Sequence, residues 1–119
     1  MTEAQSGAGK ASAEGRPYVV ANREVIVETP EFRAQIFTLG EGHVIPWHWH
    51  SHVSDVFIGM TGVTVVETRA PRARFEIGPG ERCTVPAKRA HQVSSRDGKG
   101  SSFAILQGVG AYDFNRVGA

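Results

Sequence analysis

The sequence contains a single cysteine, Cys83, among its 119 residues. One cysteine cannot form an internal disulfide, and no Cys-x-x-Cys pair is present to build a structural zinc site or a redox motif. This cysteine usage is typical of a reducing compartment, so the sequence predicts a cytoplasmic protein. Long apolar runs are also missing, because Thr64 interrupts even the short stretch Val63–Val66. A helix that spans a bilayer needs about 20 apolar residues, so we expect no membrane segment.

An excess of charge is missing as well. Thirteen Lys and Arg residues stand against twelve Asp and Glu residues, which gives a formal net charge of +1. The basic residues are scattered along the chain and form no strong positive field. This distribution disfavours nucleic acid and acidic membrane surfaces as partners, and a small-molecule substrate is the partner we expect.

The first sixteen residues contain no large apolar side chain other than Met1. Residues 1–16 contain no Val, Ile, Leu, Phe, Tyr or Trp, and they lack the apolar core of a secretion signal. We predict a flexible N-terminal tail over residues 1–16 and a single domain over residues 17–119. Hydrophobic residues make up 40% of the chain and charged residues 21%, which is enough to bury a core without disulfide or metal staples.

From Pro17 onward, short segments rich in Val, Ile, Phe and Thr alternate with turn residues, a rhythm that indicates β-strands. The segment Arg72–Ile77 shows the two-residue period well, since apolar and charged side chains alternate along it. About ten short strands follow one another, the first predicted at Tyr18–Ala21 and the last at Ser102–Gly108. An all-β sandwich or small closed barrel, with room for a ligand inside, suits this pattern.

Three histidines occupy alternate positions, His48, His50 and His52. On a strand, alternate side chains point to the same face, so at least two imidazoles would line one cavity. Imidazole is a preferred ligand of Zn, Fe, Cu, Ni and Mn. Asp55 follows shortly afterwards, and His91 comes from a later strand, so these two residues offer further ligands.

The spacing of these residues resembles two sequence motifs of the cupins. The first motif is carried by Gly42, His48, His50, Asp55 and Gly62, with aspartate where glutamate is usual. The second motif is carried by Gly80, Pro86 and His91, with Lys88 and Ser95 where glycine and asparagine are usual. The resemblance covers about residues 32–108, and it identifies the chain as similar to the small single-domain cupins of the jelly-roll superfamily.

The resemblance implies a cupin jelly-roll barrel with one divalent transition metal per chain, bound by His48, His50, Asp55 and His91. Aspartate reaches roughly 1.5 Å less far than glutamate. Asp55 is therefore either a direct ligand of a shifted metal or a residue that orients a ligand imidazole or a water on the metal, in which case Asp55 is also a candidate acid or base. A further alternative is that His52 takes the place of the carboxylate as a ligand.

The family resemblance also implies a function. We expect a metal-dependent enzyme acting on a small organic substrate, with Fe(II) favoured over Mn, Zn, Ni or Cu and dioxygenase chemistry placed ahead of isomerase or lyase chemistry. The competing expectation is a non-catalytic cupin that binds a small ligand, because a fold does not fix a function. Exposed strand edges and outward tryptophans predict a homodimer.

Overall fold

The computed structural model describes residues 18–118, and within them the chain forms ten β-strands and one short 3-10 turn at Arg96–Gly98. The predicted tail at residues 1–16 lies outside the described residues. The strands are β1 (Asn22–Thr29), β2 (Phe32–Leu39), β3 (Ile45–Trp49), β4 (Ser54–Gly62), β5 (Thr64–Thr68), β6 (Ala73–Ile77), β7 (Arg82–Val85), β8 (His91–Ser95), β9 (Ser101–Gly108) and β10 (Asn115–Arg116).

The strands pair into two antiparallel sheets of five strands each. One sheet has the order β1-β2-β9-β4-β7 and the other has the order β10-β3-β8-β5-β6. The two inner faces enclose a core of aliphatic and aromatic side chains, among them Phe37, Phe57, Val66, Val93 and Phe103. The expected all-β architecture is confirmed.

The predicted strand at Tyr18–Ala21 is wrong, because this segment has no ladder partner along its length. Its apolar side chains are buried by packing instead: Val20 is 3% exposed, and Tyr18 packs against the core. Within residues 18–118, the structure contains no helix with the length and apolarity that crossing a bilayer requires.

Strand register places the polar residues of the interior. In the second sheet, His48 of β3 lies directly opposite His91 of β8. In the first sheet, Asp55 of β4 lies opposite Gln107 of β9, which in turn lies opposite Arg33 of β2. Directly opposed residues point to the same face of an antiparallel sheet, so both groups face the space between the sheets.

Candidate metal centre

Four metal-ligating side chains from three strands and one loop meet between the sheets. One potential ligand atom from each lies within 4.8 Å of the others, and all four residues are buried: His48, His50, Asp55 and His91. The two-residue period of β3 places His48 on the inner face, and His50 continues that period one residue beyond the strand end.

Each of the three imidazoles directs its Nδ1 atom at a backbone carbonyl. The Nδ1 to oxygen distances are 2.7 Å for His48 to Pro46, 2.5 Å for His50 to Asp113 and 2.9 Å for His91 to Arg89. A carbonyl oxygen only accepts hydrogen bonds, so each Nδ1 carries the proton and donates. The Nε2 atom of each ring is the one left to act as a ligand, and this tautomer arrangement is common for metal-binding histidines.

The Asp55 carboxylate faces two of these rings. Its Oδ2 atom lies 3.1 Å from His50 Nε2 and 2.9 Å from His91 Nε2. In a neutral imidazole with the proton on Nδ1, Nε2 carries a lone pair. Two lone pairs at these distances from an anionic oxygen repel it unless a proton or a cation lies between them. The arrangement therefore requires positive charge at this point.

The donor set fits a divalent transition metal. Two ligands about 2.1 Å from one ion, at right angles to each other, are about 3.0 Å apart, which matches the spacing around Asp55 Oδ2. Imidazole nitrogens with one carboxylate oxygen suit Fe, Mn, Zn, Ni or Cu. The cavity beside these residues has a volume of about 10 Å³, close to the room that a single water-sized particle needs.

Burial and neighbouring charge set the protonation of the site. Burial, together with the charge of His91, lowers the pKa of His48 to about 3, so His48 is neutral near pH 7. Burial also disfavours charge on His50, but the contact with Asp55 outweighs it and raises the pKa of His50. For Asp55, burial alone would raise the pKa, and the contacts with His50 and His91 instead hold it below its usual value. Asp55 is therefore an anion, which is the form in which a carboxylate can bind a metal.

Comparisons with known proteins identify the fold. No family model matches the sequence, and no curated protein matches it. The cupin domain of Cnp3 from Schizosaccharomyces pombe superposes with a TM-score of 0.65 at 15% identity, covering 73% of this chain and 63% of that one. KdgF from Halomonas sp. superposes with a TM-score of 0.61 at 20% identity, covering 73% of this chain and 76% of that one. An oxalate oxidase superposes with a TM-score of 0.65 at 13% identity, covering 73% of this chain and 46% of the enzyme.

This chain has the cupin fold. This fold brings together His48, His50 and Asp55 of the first motif and His91 of the second motif. The glycines of the first motif occupy turns that need positive φ, with values of 74° at Gly42 and 66° at Gly62. At Gly62 a Cβ atom would also lie 2.7 Å from the Gly100 carbonyl oxygen, so glycine is required there.

His52, the alternative ligand, does not join this group. Strand β3 ends at Trp49, and the chain bends at Ser51 and His52. The two-residue period therefore stops after His50, and the His52 side chain is exposed. Trp47 points away from the site as expected, and its ring lies 4.0 Å below the guanidinium of Arg69.

Several residues beside the candidate metal site were not anticipated from the sequence. Gln107 donates to Asp55 Oδ1 at 3.0 Å, and Phe114 stacks on the His48 ring with centroids 4.3 Å apart. The inward parity that Gln107 shares with Phe103 and Ile105 is a signal that strand periodicity could have supplied. The C-terminal segment around Phe114 lies beyond the range 32–108 covered by the motifs, and no periodicity marks it.

Proposed function

We propose that this cupin is a metal-dependent enzyme that acts on a small organic substrate at one divalent transition metal, with chemistry of the dioxygenase type. The observation that carries the proposal is that two Nδ1-protonated imidazoles, His50 and His91, contact one buried carboxylate with His48 beside them, an arrangement that positive charge stabilises. Burying these polar and charged groups costs free energy, and a purely structural role offers nothing to offset that cost.

The ligand set leaves room for chemistry. Three imidazoles and one carboxylate supply at most four ligand atoms, and Fe(II), Mn or Ni accepts up to six, so positions stay open for reactants. Fe(II) in this place would support oxidation of a bound substrate by dioxygen, whereas Zn, Mn or Ni would act as a Lewis acid in isomerase or lyase chemistry. One protein with this fold is by name an oxidase, which supports an oxidoreductase without naming a substrate for this chain.

The protein's own groups prepare the site in three ways. Gln107 fixes one oxygen of Asp55, so the other oxygen is directed at the imidazoles. The low pKa of His48 keeps its Nε2 lone pair available. Apolar walls that include Phe37, Phe57 and Ile105 line the cavity and limit the entry of bulk water.

The test begins with elemental analysis of protein purified without affinity nickel. Wild type, His48→Ala and His91→Ala are compared, with His52→Ala as the matched control because His52 is an exposed histidine outside the group. We expect near-stoichiometric metal in wild type and His52→Ala, and none in the other two variants. Asp55→Ala is expected to bind metal more weakly than wild type but to lose less than the histidine variants.

The reaction type is tested next, on protein reconstituted anaerobically with Fe(II). An oxygen electrode follows dioxygen uptake while β-dicarbonyl, thiol and phenolic compounds are added. Uptake that depends on one of these substrates supports the dioxygenase. Stoichiometric Zn, Mn or Ni without oxygen uptake would favour isomerase or lyase chemistry. Absence of metal from wild type would overturn the proposal in favour of a non-catalytic binding cupin.

A further inference from the structure

Arg33 lies in the same cross-strand row as the metal centre. It is directly opposite Gln107, which is directly opposite Asp55, so the three side chains share the inner face of the first sheet. Neighbouring strands are about 4.8 Å apart, which separates the backbones of Arg33 and Asp55 by about 10 Å. Arg33 and the metal centre are thus within the reach of one small molecule.

The charge of Arg33 lacks a close protein counter-ion within residues 18–118. Its side chain is 13% exposed, and its Nε atom is buried with no hydrogen-bond partner among the described residues. The nearest carboxylate, Glu28, is 3.9 Å from Nε, beyond hydrogen-bond distance, and Glu28 is itself 52% exposed. Exposed pairs of this kind contribute little, whereas an unpaired buried donor is costly.

A neighbouring ring holds the guanidinium in place. The Arg33 Cζ atom lies 3.8 Å from the centre of the Tyr112 ring, so the ring covers one planar face of the group. The N–H groups point outward in the plane of a guanidinium, and a ring against its face leaves them able to donate. The group is therefore fixed but still available to a planar acceptor.

Arg33 also lies between two cavities. The small cavity at the metal ligands and an outer cleft of about 310 Å³ share Arg33, Gln107 and Tyr112 as lining residues. Among the residues that line the outer cleft, the charged ones are Arg33 and Glu28. Because Glu28 would repel additional negative charge, the cleft favours a ligand with a single negative charge over a dianion such as a phosphate monoester.

We propose that Arg33 binds a carboxylate group of the substrate. The substrate is then a small organic molecule with one carboxylate and with a reactive end that reaches the metal centre, across about two strand spacings. The planar fork of guanidinium matches the two oxygens of a carboxylate. The assignment of the other end of the molecule to the metal centre rests on the proposed function, while anion binding at Arg33 does not.

Sodium butanoate, with butanamide as the neutral probe of the same shape, tests this on the full chain after metal removal. Removing the metal ensures that butanoate cannot bind to the metal in place of Arg33. Binding is followed by isothermal titration calorimetry and by the NMR signal of the Arg33 Nε–H group. The variants are Arg33→Met, Arg33→Lys and, as the matched control, Arg82→Met, which replaces an exposed arginine on β7.

We expect wild type and Arg82→Met to bind butanoate alike, Arg33→Met to bind it at least tenfold more weakly, and Arg33→Lys to lie between them. Butanamide should bind none of them measurably. Equal affinity of wild type and Arg33→Met for butanoate would overturn the proposal, as would undetectable butanoate binding by wild type or tighter binding of inorganic phosphate than of butanoate.

Metal content, measured separately in wild type and Arg33→Met, distinguishes the two proposals. We expect both proteins to bind metal equally, because Arg33 is not among the ligands. Loss of butanoate binding with retained metal supports the carboxylate site. If wild type contains no metal as purified but still binds butanoate through Arg33, the proposed function is overturned and the anion site is supported.

Discussion

Gln107 lies directly opposite Asp55 across β9 and β4, and its side-chain amide donates to Asp55 Oδ1 at 3.0 Å. Hydrogen bonds from Arg23 and Gln35 determine which end of the Gln107 amide faces Asp55. Arg23 can only donate, and it does so to Gln35 Oε1 at 2.6 Å, while Gln35 Nε2 donates in turn to Gln107 Oε1 at 3.4 Å. The Gln107 amide nitrogen is thereby left to face Asp55, which orients the carboxylate.

Replacing Gln107 by leucine tests this orientation. Gln107→Leu leaves Asp55 Oδ1 and Gln35 Nε2 buried without their partners, so we expect a loss of about 1 to 3 kcal/mol in the free energy of unfolding. Metal affinity should fall by about 10- to 100-fold, the usual effect of losing a group that orients a ligand. Urea unfolding and a competition titration with a chromogenic chelator measure the two effects. Gln92→Leu, on the outer face of β8, should leave metal affinity unchanged; an equal loss there would contradict a specific role for Gln107.

The segment that follows β9 positions His50, another of the candidate ligands. The Asp113 carbonyl accepts from His50 Nδ1, and its carboxylate accepts from the Ser51 backbone N–H at 2.8 Å and from the Ser51 hydroxyl. Burial opposes the charge of Asp113, but the hydrogen bonds from Ser51 outweigh it and hold the pKa of this carboxyl below its usual value. A lowered carboxylate pKa stabilises the folded state above the ordinary pKa, and that contribution is lost as the pH falls through the folded value.

We therefore expect Asp113→Ala to destabilise the protein by about 1 kcal/mol at pH 7 and by less at pH 3, because the contribution of a carboxylate with a lowered pKa declines once the pH falls below its ordinary value. Urea unfolding at the two pH values measures the difference. Glu41→Ala, which removes an exposed acid in the turn before β3, is the control and should have little effect at either pH. A destabilisation by Asp113→Ala that does not change between pH 7 and pH 3 would show that the Ser51 contacts contribute nothing.

The sequence predicted the parts of this molecule that depend on local spacing. Alternation along the chain indicated the strands and placed His48 and His50 on one face, because a strand fixes which face each side chain takes. The resemblance to the cupin motifs implied that Asp55 and His91 share this site. His52 follows the same alternation, but the strand ends before it, and strand ends are set by packing that one segment does not reveal. The period alone could not exclude His52.

Contacts between residues that are far apart in the chain could not be predicted from local spacing. Asn115 and Arg116 carry no strand signal, yet they pair with β3 because the Asp113 carbonyl and Phe114 are anchored at the imidazoles. The inward side of Arg33 follows from the same alternation as Gln35 and Phe37. What could not be foreseen is its position opposite Gln107, since strand order is a property of the whole sheet.

Cys83 provides a test of core packing. It alternates with the buried Val85 on β7, lies in the core, is 8% exposed and has a free thiol. Burial raises the pKa of the thiol, and only the thiolate reacts as a nucleophile. We expect Ellman's reagent at pH 8 to modify the native protein at least about tenfold more slowly than the unfolded protein, with a rate that climbs as the pH is raised. Equally fast reaction of native and unfolded protein would mean that this part of the core opens readily.

The edge of the first sheet is where we expect two chains to associate. Strand β1 forms that edge, and three consecutive apolar residues on it are exposed, Val25, Ile26 and Val27, with Ile26 at 53%. An exposed apolar edge strand is prone to pair with another chain. We therefore expect multi-angle light scattering to give about twice the 12.8 kDa of one chain. Ile26→Lys should shift the protein toward the monomer, because a charge on an edge strand opposes pairing. Met60→Lys, at an exposed apolar position outside β1, should not change the mass, and a wild-type monomer would contradict the predicted homodimer.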